Sequence, residues 1–211
     1  MRRVMRAGAP VPGATGAVLL VHGRGASAED ILAVAGEIDR PDLAWVAPQA
    51  PGGSWYPLSF MAPREANEPS LSESLSALEE LTVELLAAGV PSDRLALVGF
   101  SQGACLVLEH AYRHPRRYGA VAGLTGGLTG PPGTRWEGGG PELSGTPVLL
   151  SSGDPDPHVP WERVDETAEV LRGLGCEVDL RRHPGRPHTI VRDEVDAVGS
   201  QLDAMLRGDR G

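Results

Sequence analysis

The sequence has 211 residues, 41% of them hydrophobic and 22% charged, which fits one globular domain with a sizeable core. Its formal net charge of −9, with no block of Lys or Arg, disfavours a phosphate polymer or an anionic lipid surface as a partner. We therefore expect no nucleic-acid binding and no stable membrane association. No apolar run approaches the roughly 20 residues of a membrane helix, and Gly and Pro interrupt the segment after the first arginines, so we expect a cytoplasmic protein.

Apolar runs alternate with helical patterns along the chain. The runs predict strands at 16–23, 42–48, 94–100, 118–124, 147–153 and 176–182. Apolar positions at helical spacing predict helices that begin near Ser27, Ser70, Gln102, Val164 and Val191. This alternation is typical of a mainly parallel sheet with helices on both faces, and we expect a single α/β domain over residues 1–211.

Two helix starts and the two cysteines allow more specific predictions. Ser27 with Asp30, and Ser70 with Glu73, have the spacing of a capping box and are expected to begin helices. Two cysteines in a chain of this length indicate no disulfide framework, so we expect both to be small core residues.

The segment GFSQG, residues 99–103, follows a predicted strand and precedes a predicted helix. In the pattern G-x-S-x-G the flanking positions are small because the turn is tight, and the serine hydroxyl is exposed at the edge of the sheet. The alternative is a glycine-bracketed turn with an inert serine. The motif stands directly between a predicted strand and a predicted helix, at the carboxyl end of the strand, where ligands of such sheets bind. We therefore predict that Ser101 is a nucleophile.

A serine nucleophile needs a histidine as base and an acid that orients the histidine. In this architecture the acid and the histidine follow the serine along the chain, each after a later strand. Asp154 and Asp156 follow the fifth predicted strand, and His183 and His188 follow the sixth. The order along the chain therefore leaves two candidates for each role.

Five segments occur in one order along nearly the whole chain: LLVHGRGASAEDIL, APQAPGGSWYP, GFSQGA, DPHVP and PGRPHTI. Together they resemble the phospholipase/carboxylesterase family of α/β-hydrolases, which includes acyl-protein thioesterases and small bacterial carboxylesterases. The resemblance implies a single-domain α/β-hydrolase fold and a serine hydrolase of carboxylic esters that needs no cofactor.

The resemblance also implies roles for individual residues. Ser101 takes the place of the family's nucleophile, Asp156 in D-P-H-V-P that of its acid, and His188 in the glycine-containing loop that of its base. Asp154 is then expected to cap the turn, and His183 to pack in the structure.

An oxyanion hole requires two N–H donors aimed at the oxygen of the tetrahedral intermediate. The backbone N–H of Gln102 is one expected donor, since it opens a helix whose dipole favours negative charge. By resemblance the other is the backbone N–H of Arg24, in the segment HGRG. We expect the Arg24 side chain to face water rather than an anionic substrate, and His22 to hold the loop in place.

The only room for a cap domain is residues 125–146, which are rich in Gly and Pro and too short for a helical cap. We therefore predict an open, shallow site without a lid. The candidates for an apolar acyl groove are Trp55, Tyr56, Phe60 and Leu128, although each of them can instead pack the loops. A second copy of the chain is expected to cover the exposed groove, which makes a homodimer the expected assembly.

Three functions remain open at this point. The leading one is a serine carboxylesterase that hydrolyses short- to medium-chain acyl esters of soluble alcohols through an acyl-enzyme, with a small-molecule ester as its partner. The second uses the same triad on a thioester or a lysophospholipid. The third is a hydrolase fold that binds a ligand without catalysis. A metal enzyme is disfavoured, since no H-E-x-x-H motif and no pair of His or Cys at ligand spacing stands out.

Overall fold

The apolar runs of the sequence form the strands of one sheet in the computed structural model, which describes residues 3–208. The strands of these residues are β1 (Val4–Gly8), β2 (Ala17–Val21), β3 (Ala44–Pro48), β4 (Leu95–Phe100), β5 (Ala120–Leu124), β6 (Pro147–Asp154) and β7 (Glu177–Pro184). The helices are α1 (Ala28–Ile38), α2 (Ser70–Ala87), α3 (Gln102–Arg113), α4 (Trp161–Gly173) and α5 (Arg192–Arg207).

The strand order across the sheet is β1-β3-β2-β4-β5-β6-β7. The pair β1–β3 is antiparallel, and every other pair of the described strands is parallel. Because parallel strands end at the same edge, the carboxyl ends of β4, β6 and β7 lie together. The loops that carry the predicted nucleophile, acid and base all leave the sheet at this edge.

The side chains of β2 explain why a central strand is apolar without interruption. Alternate side chains point to opposite faces of a strand. Ala17, Leu19 and Val21 pack in the core between the sheet and α2, α3 and α4. Val18 and Leu20 pack in the second core, beneath α1 and α5. Both faces of the sheet are therefore covered, as the alternation of strands and helices predicts.

Two features at the edges of the predicted elements differ from the sequence-based expectation. The strand β1 was not predicted. The helix α2 begins at Ser70, which is therefore not its cap, and the carboxylate of Glu68 instead accepts hydrogen bonds from the backbone N–H and the hydroxyl of Ser72 at 3.0 and 2.8 Å. The predicted capping box of Ser27 and Asp30 is confirmed at the start of α1.

The connection between β5 and β6 contains no α-helix, only the short 3-10 turn Pro141–Leu143. The prediction of an α/β-hydrolase fold without a cap domain is therefore confirmed in the described part of the chain. Cys105 and Cys176 are both buried and free, as predicted. Within residues 3–208, no helix is both long enough and apolar enough to cross a membrane.

Candidate active site

Ser101 lies in the turn between β4 and α3, where the G-x-S-x-G pattern places it. Its backbone angles, φ 54° and ψ −118°, fall in a region that residues other than glycine rarely adopt. Two hydrogen bonds hold this conformation: Ser101 N–H donates to the Leu124 carbonyl at 2.9 Å, and Cys105 N–H donates to the Ser101 carbonyl at 3.1 Å. The turn thus fixes the serine at the carboxyl end of β4, on the wall of a cavity.

The two glycines of the pattern are required because the backbone approaches itself closely here. A Cβ atom built on Gly99 would lie 2.3 Å from the carbonyl oxygen of Gly103, and one built on Gly103 would lie 2.1 Å from that of Val21. Real Cβ atoms essentially never come within 3.0 Å of such an atom. The glycines therefore allow β2, β4 and the start of α3 to pack tightly around the serine.

Replacing Gly103 by alanine is expected to destabilise the fold by about 3 kcal/mol, because the new methyl group would overlap backbone that cannot move freely. Urea unfolding at 25 °C measures this change. Gly36→Ala is a matched control, since a Cβ atom at this position in α1 would have no neighbour within 4 Å. The control should stabilise the protein by about 0.5–1 kcal/mol. Equal stability of Gly103→Ala and wild type would contradict the steric argument.

His188 and Asp156 reach Ser101 from loops that follow β7 and β6. His188 Nε2 lies 2.9 Å from Ser101 Oγ, and His188 Nδ1 lies 2.8 Å from Asp156 Oδ2. Because an ionised carboxylate only accepts hydrogen bonds, Nδ1 carries the proton and Nε2 is free to accept from the Ser101 hydroxyl. The three side chains form a continuous chain of hydrogen bonds that suits removal of a proton from the serine.

The side chain of Asp156 is fully buried, and its environment keeps it charged. Burial by itself raises the pKa of this carboxyl group, but His158 N–H and Val159 N–H both donate to Oδ1 at 2.9 Å, and His188 donates to Oδ2. The hydrogen bonds outweigh burial, so the pKa of Asp156 lies below its usual value. Ionised Asp156 therefore stabilises the fold above the pKa of the unfolded chain, and this contribution is lost as the pH falls through the lowered pKa.

The other two candidates for acid and base are engaged elsewhere. Asp154 forms an ion pair with Arg182 of the neighbouring strand, with 2.6 Å between its Oδ2 and Arg182 Nε. Its carboxylate does not cap the turn, which corrects the sequence-based expectation. His183 Nε2 lies 2.9 Å from Ser151 Oγ, a contact across the β6–β7 pair. The structure thus brings together Asp156 and His188, the pair that the family resemblance selects.

A buried ion pair that sequence reasoning missed holds the loop of His188. Arg186 donates from Nη1 to the Glu194 carboxylate in the first turn of α5, and from Nη2 to Thr125 Oγ1 at 2.6 Å. Both side chains of the pair are almost completely buried. Removing one partner would leave the other charge buried and unpaired, which typically lowers the free energy of unfolding by about 3–5 kcal/mol. The sequence gives no signal for this pairing, since nothing in PGRPHTI indicates an acidic partner on the next helix.

The backbone N–H groups of Arg24 and Gln102 are the predicted oxyanion donors, and both residues line the same cavity as Ser101. Among the hydrogen bonds of residues 3–208, none has either of these N–H groups as its donor. The loop lies against the serine, because a Cβ atom built on Gly23 would be 3.3 Å from Ser101 Cβ. His22 holds this loop as expected: its Nε2 accepts from Ala50 N–H at 3.1 Å, and its Nδ1 lies 2.7 Å from the Gly23 carbonyl.

The Arg24 side chain corrects a further expectation, since it does not simply face water. Its Nη1 donates to Ser54 Oγ at 3.0 Å and to the Pro57 carbonyl at 2.9 Å, and its Nη2 donates to the Leu58 carbonyl at 2.7 Å. The guanidinium group lies 6.0 Å from the centre of the Tyr56 ring. Arg24 is exposed and yet fixed to the loop that forms one wall of the cavity.

The side chain of Gln102 connects the start of α3 to the same wall of the cavity. Its Oε1 accepts from Trp55 N–H at 3.0 Å, and its Nε2 donates to the Tyr56 carbonyl at 2.8 Å. Sequence reasoning assigned a role only to the backbone of Gln102. The loop of Tyr56 is therefore attached to the start of α3, directly after Ser101.

The cavity beside Ser101 has a volume of about 390 Å³. Of the four predicted groove residues, Tyr56 and Phe60 line it. Trp55 and Leu128 do not, which corrects the prediction: both are buried in the core, and Trp55 Nε1 donates to the carbonyl of His22 at 2.8 Å. Leu58, which was not predicted, lies on the cavity wall with 48% of its surface exposed.

A pair of histidines at ligand spacing was also missed in the sequence. His110 and His114 lie one turn apart at the end of α3, and Glu79 Oε2 lies 3.7 Å from His110 Nε2 and from His114 Nδ1. Arg116 already binds both oxygens of the Glu79 carboxylate. Burial lowers the pKa of His110 to about 3, so this imidazole is neutral near neutral pH. The cluster lies at the opposite end of α3 from Ser101.

The sequence profile of the phospholipase/carboxylesterase family matches residues 7–206, nearly the whole chain. The chain belongs to this family. Membership confirms the predicted fold and the predicted class of enzyme, a serine hydrolase of carboxylic esters. The crystal structure of a phospholipase/carboxylesterase from Dyadobacter fermentans superimposes with a TM-score of 0.91 and 40% identity, over 96% of both chains.

Two curated proteins of similar sequence extend the comparison. Carboxylesterase SOBER1 of Arabidopsis thaliana is 25% identical over 210 residues, which cover 90% of this chain and 91% of that protein. Acyl-protein thioesterase 1 of Gibberella zeae is 28% identical over 152 residues, which cover 68% of this chain and 61% of that protein. The proteins similar to this chain therefore include one named as a carboxylesterase and one named as a thioesterase.

Proposed function

We propose that the protein is a serine carboxylesterase that hydrolyses short- to medium-chain acyl esters through a Ser101–His188–Asp156 triad. The observation that carries the proposal is the chain of hydrogen bonds from Ser101 Oγ to His188 Nε2 and from His188 Nδ1 to Asp156, at 2.9 and 2.8 Å. These distances lie in the range in which a base removes the proton of a nucleophile.

In the proposed reaction, Ser101 Oγ attacks the ester carbonyl carbon while His188 Nε2 takes the hydroxyl proton. The carbonyl oxygen becomes an oxyanion, which the backbone N–H groups of Arg24 and Gln102 stabilise. His188 then gives the proton to the departing alcohol and leaves an acyl-enzyme. A water molecule, deprotonated by His188, attacks the acyl-enzyme, and the proton returns to Ser101 as the carboxylic acid leaves. Asp156 keeps the imidazole in the required orientation and stabilises its cationic form.

Cavity size and surface charge support a short to medium acyl chain. The volume of about 390 Å³ lies near the lower end of the range of small-molecule sites, about 300–1,000 Å³, and it must hold the acyl group and the alcohol together. Trp55 and Leu128 do not line the cavity and so do not lengthen the groove. The net charge of −9 disfavours binding to an anionic phospholipid surface, and so disfavours membrane phospholipids as substrates.

A second candidate uses the same triad on an acyl thioester or a lysophospholipid. The similarity to the acyl-protein thioesterase of Gibberella zeae favours it. The proposed reaction differs only in the leaving group, since a thiol or a glycerophospho-alcohol takes the place of a simple alcohol.

The test is a series of 4-nitrophenyl esters from acetate to palmitate, followed by butyryl and palmitoyl thioesters and a lysophospholipid. We expect kcat/KM to be highest for short to medium acyl chains and to fall towards palmitate. A preference for palmitoyl over butyryl esters would contradict the proposed chain length. Faster turnover of the thioester than of the oxygen ester with the same acyl group would favour the second candidate.

A further inference from the structure

Arg24 places a positive charge on the cavity wall, and no acidic residue among residues 3–208 forms an ion pair with it. Its three hydrogen bonds all go to neutral acceptors, one hydroxyl and two backbone carbonyls. Many arginines of the described chain instead pair with a carboxylate, as Arg64 does with Glu109 and Arg182 with Asp154. The protein has nine more acidic than basic charges, yet on this cavity wall the charge of Arg24 has no acidic partner among the described residues.

The rest of the cavity wall carries no opposing charge. The described residues that line it include Arg24, His158 and His188, and no Asp or Glu. The nearest carboxylate of the site, Asp156, is fully buried behind His188 and bound by it. A ligand in the cavity therefore meets the Arg24 charge with little local compensation. An anionic ligand gains from such a site, although the protein as a whole is acidic.

The geometry of Arg24 leaves part of its guanidinium group available to a ligand. A guanidinium has five N–H groups, and three of them are used in the bonds to Ser54, Pro57 and Leu58. The Nε–H and one N–H on Nη2 have no acceptor among residues 3–208. Because the loop already fixes the side chain, little conformational entropy is lost when an anion binds.

We propose that the Arg24 side chain binds a carboxylate carried by the ester, so that the preferred substrates are esters with a negative charge near the scissile bond. This inference rests on the proposed esterase function. In this arrangement one residue has two separate roles. Its backbone N–H faces the developing oxyanion, and its guanidinium group selects the substrate by charge, through hydrogen bonds that a carboxylate makes well with arginine.

The test compares two pairs of esters, each with and without a carboxylate. The first pair is 4-nitrophenyl hemisuccinate and 4-nitrophenyl pentanoate, which have acyl groups of similar length and the same leaving group. The second pair is 4-acetoxybenzoate and phenyl acetate, which differ on the alcohol side. The measured quantity is the ratio of kcat/KM for the anionic ester to that for the neutral ester, after the uncatalysed rate has been subtracted.

Arg24→Gln is expected to lower this ratio by about fivefold or more in at least one pair, as loss of a charge contact predicts. Arg24→Lys should retain part of the preference, because it keeps the charge but loses the forked hydrogen bonds. Arg172→Gln is the matched control: Arg172 is exposed near the end of α4, so this variant makes the same change in net charge away from the cavity. It should leave both ratios unchanged. Rising salt should lower the wild-type ratio towards that of Arg24→Gln.

Two outcomes would overturn different parts of the argument. If the wild-type protein hydrolyses the neutral esters and Arg24→Gln leaves both ratios unchanged, the inference about Arg24 fails and the proposed esterase function stands. If the folded wild-type protein hydrolyses none of the four esters faster than Ser101→Ala does, the proposed function itself fails, and the inference fails with it.

Discussion

Replacing Ser101 by alanine is expected to lower kcat for 4-nitrophenyl esters about a millionfold, to the residual rate that the oxyanion hole and substrate binding provide without a nucleophile. The hydroxyl group is the only group lost, and without it His188 has no proton to remove and no acyl-enzyme can form. The fold should persist, because the hydrogen bonds that hold this turn use the Ser101 backbone. Initial rates measure kcat, and a thermal unfolding curve of the same sample measures the stability of the fold.

Ser200→Ala provides the matched control for this prediction. Ser200 lies in α5, and its hydroxyl donates to the Asp196 carbonyl within the helix, so the variant should retain full activity. A fluorophosphonate probe should label the wild-type protein and the control, and should fail to label Ser101→Ala. Activity of Ser101→Ala equal to that of the wild type would show that Ser101 is not the nucleophile. If neither the wild type nor Ser101→Ala hydrolyses the esters, a binding protein without catalysis becomes the better interpretation.

The central sheet could be predicted from the sequence because strands buried on both faces are continuous apolar runs. Residues 17–21 of β2 and 95–99 of β4 are such runs, and all of them are buried. The edge strand β1 carries Arg6 and has a half-exposed pattern, so its sequence resembles that of a loop. Only its antiparallel pairing with β3, a contact between distant parts of the chain, defines it as a strand.

The position of Ser101 in a tight turn could be predicted from neighbouring residues alone, since the turn requires glycine at positions 99 and 103. The side chains that line the groove could not be predicted in this way. An aromatic residue in a loop rich in Gly and Pro fits a core as well as a cavity, and Trp55 is placed in the core by its hydrogen bond to His22, 33 positions away. The neutral contacts of Arg24 likewise depend on how the loop 54–58 folds back over it.

The comparison of Asp154 with Asp156 shows why the register of two strands decides which aspartate contacts His188. Asp154 is the last residue of β6 and lies opposite Pro184 of β7, so its carboxylate reaches Arg182 within the sheet. Asp156 lies two residues beyond the strand, where the chain has left the sheet and can reach His188. The spacing of the two aspartates in the sequence contains no information about this difference. The motif D-P-H-V-P selected Asp156 only through the family resemblance.

Asp156→Asn is expected to lower kcat about 10⁴-fold, because an amide can donate to His188 Nδ1 and thereby stabilise the wrong tautomer of the imidazole. Asp154→Asn is the matched control two residues away, and it should change kcat by no more than about twofold, since it breaks only a partly exposed ion pair with Arg182. Steady-state rates with 4-nitrophenyl butyrate and thermal unfolding of each variant provide the measurement.

If Asp156→Asn loses activity without a matching loss of stability, the role of the Asp156 carboxylate is to orient His188 rather than to stabilise the fold. The backbone N–H groups of His158 and Val159 can still bind the carbonyl oxygen of the asparagine, so the loop has a way to keep its shape. A larger loss for Asp154→Asn than for Asp156→Asn would reverse the assignment of the acid. Equal losses in both variants would instead mean that the loop between β6 and α4 acts as one structural unit, and that its position, rather than a single carboxylate, orients the imidazole.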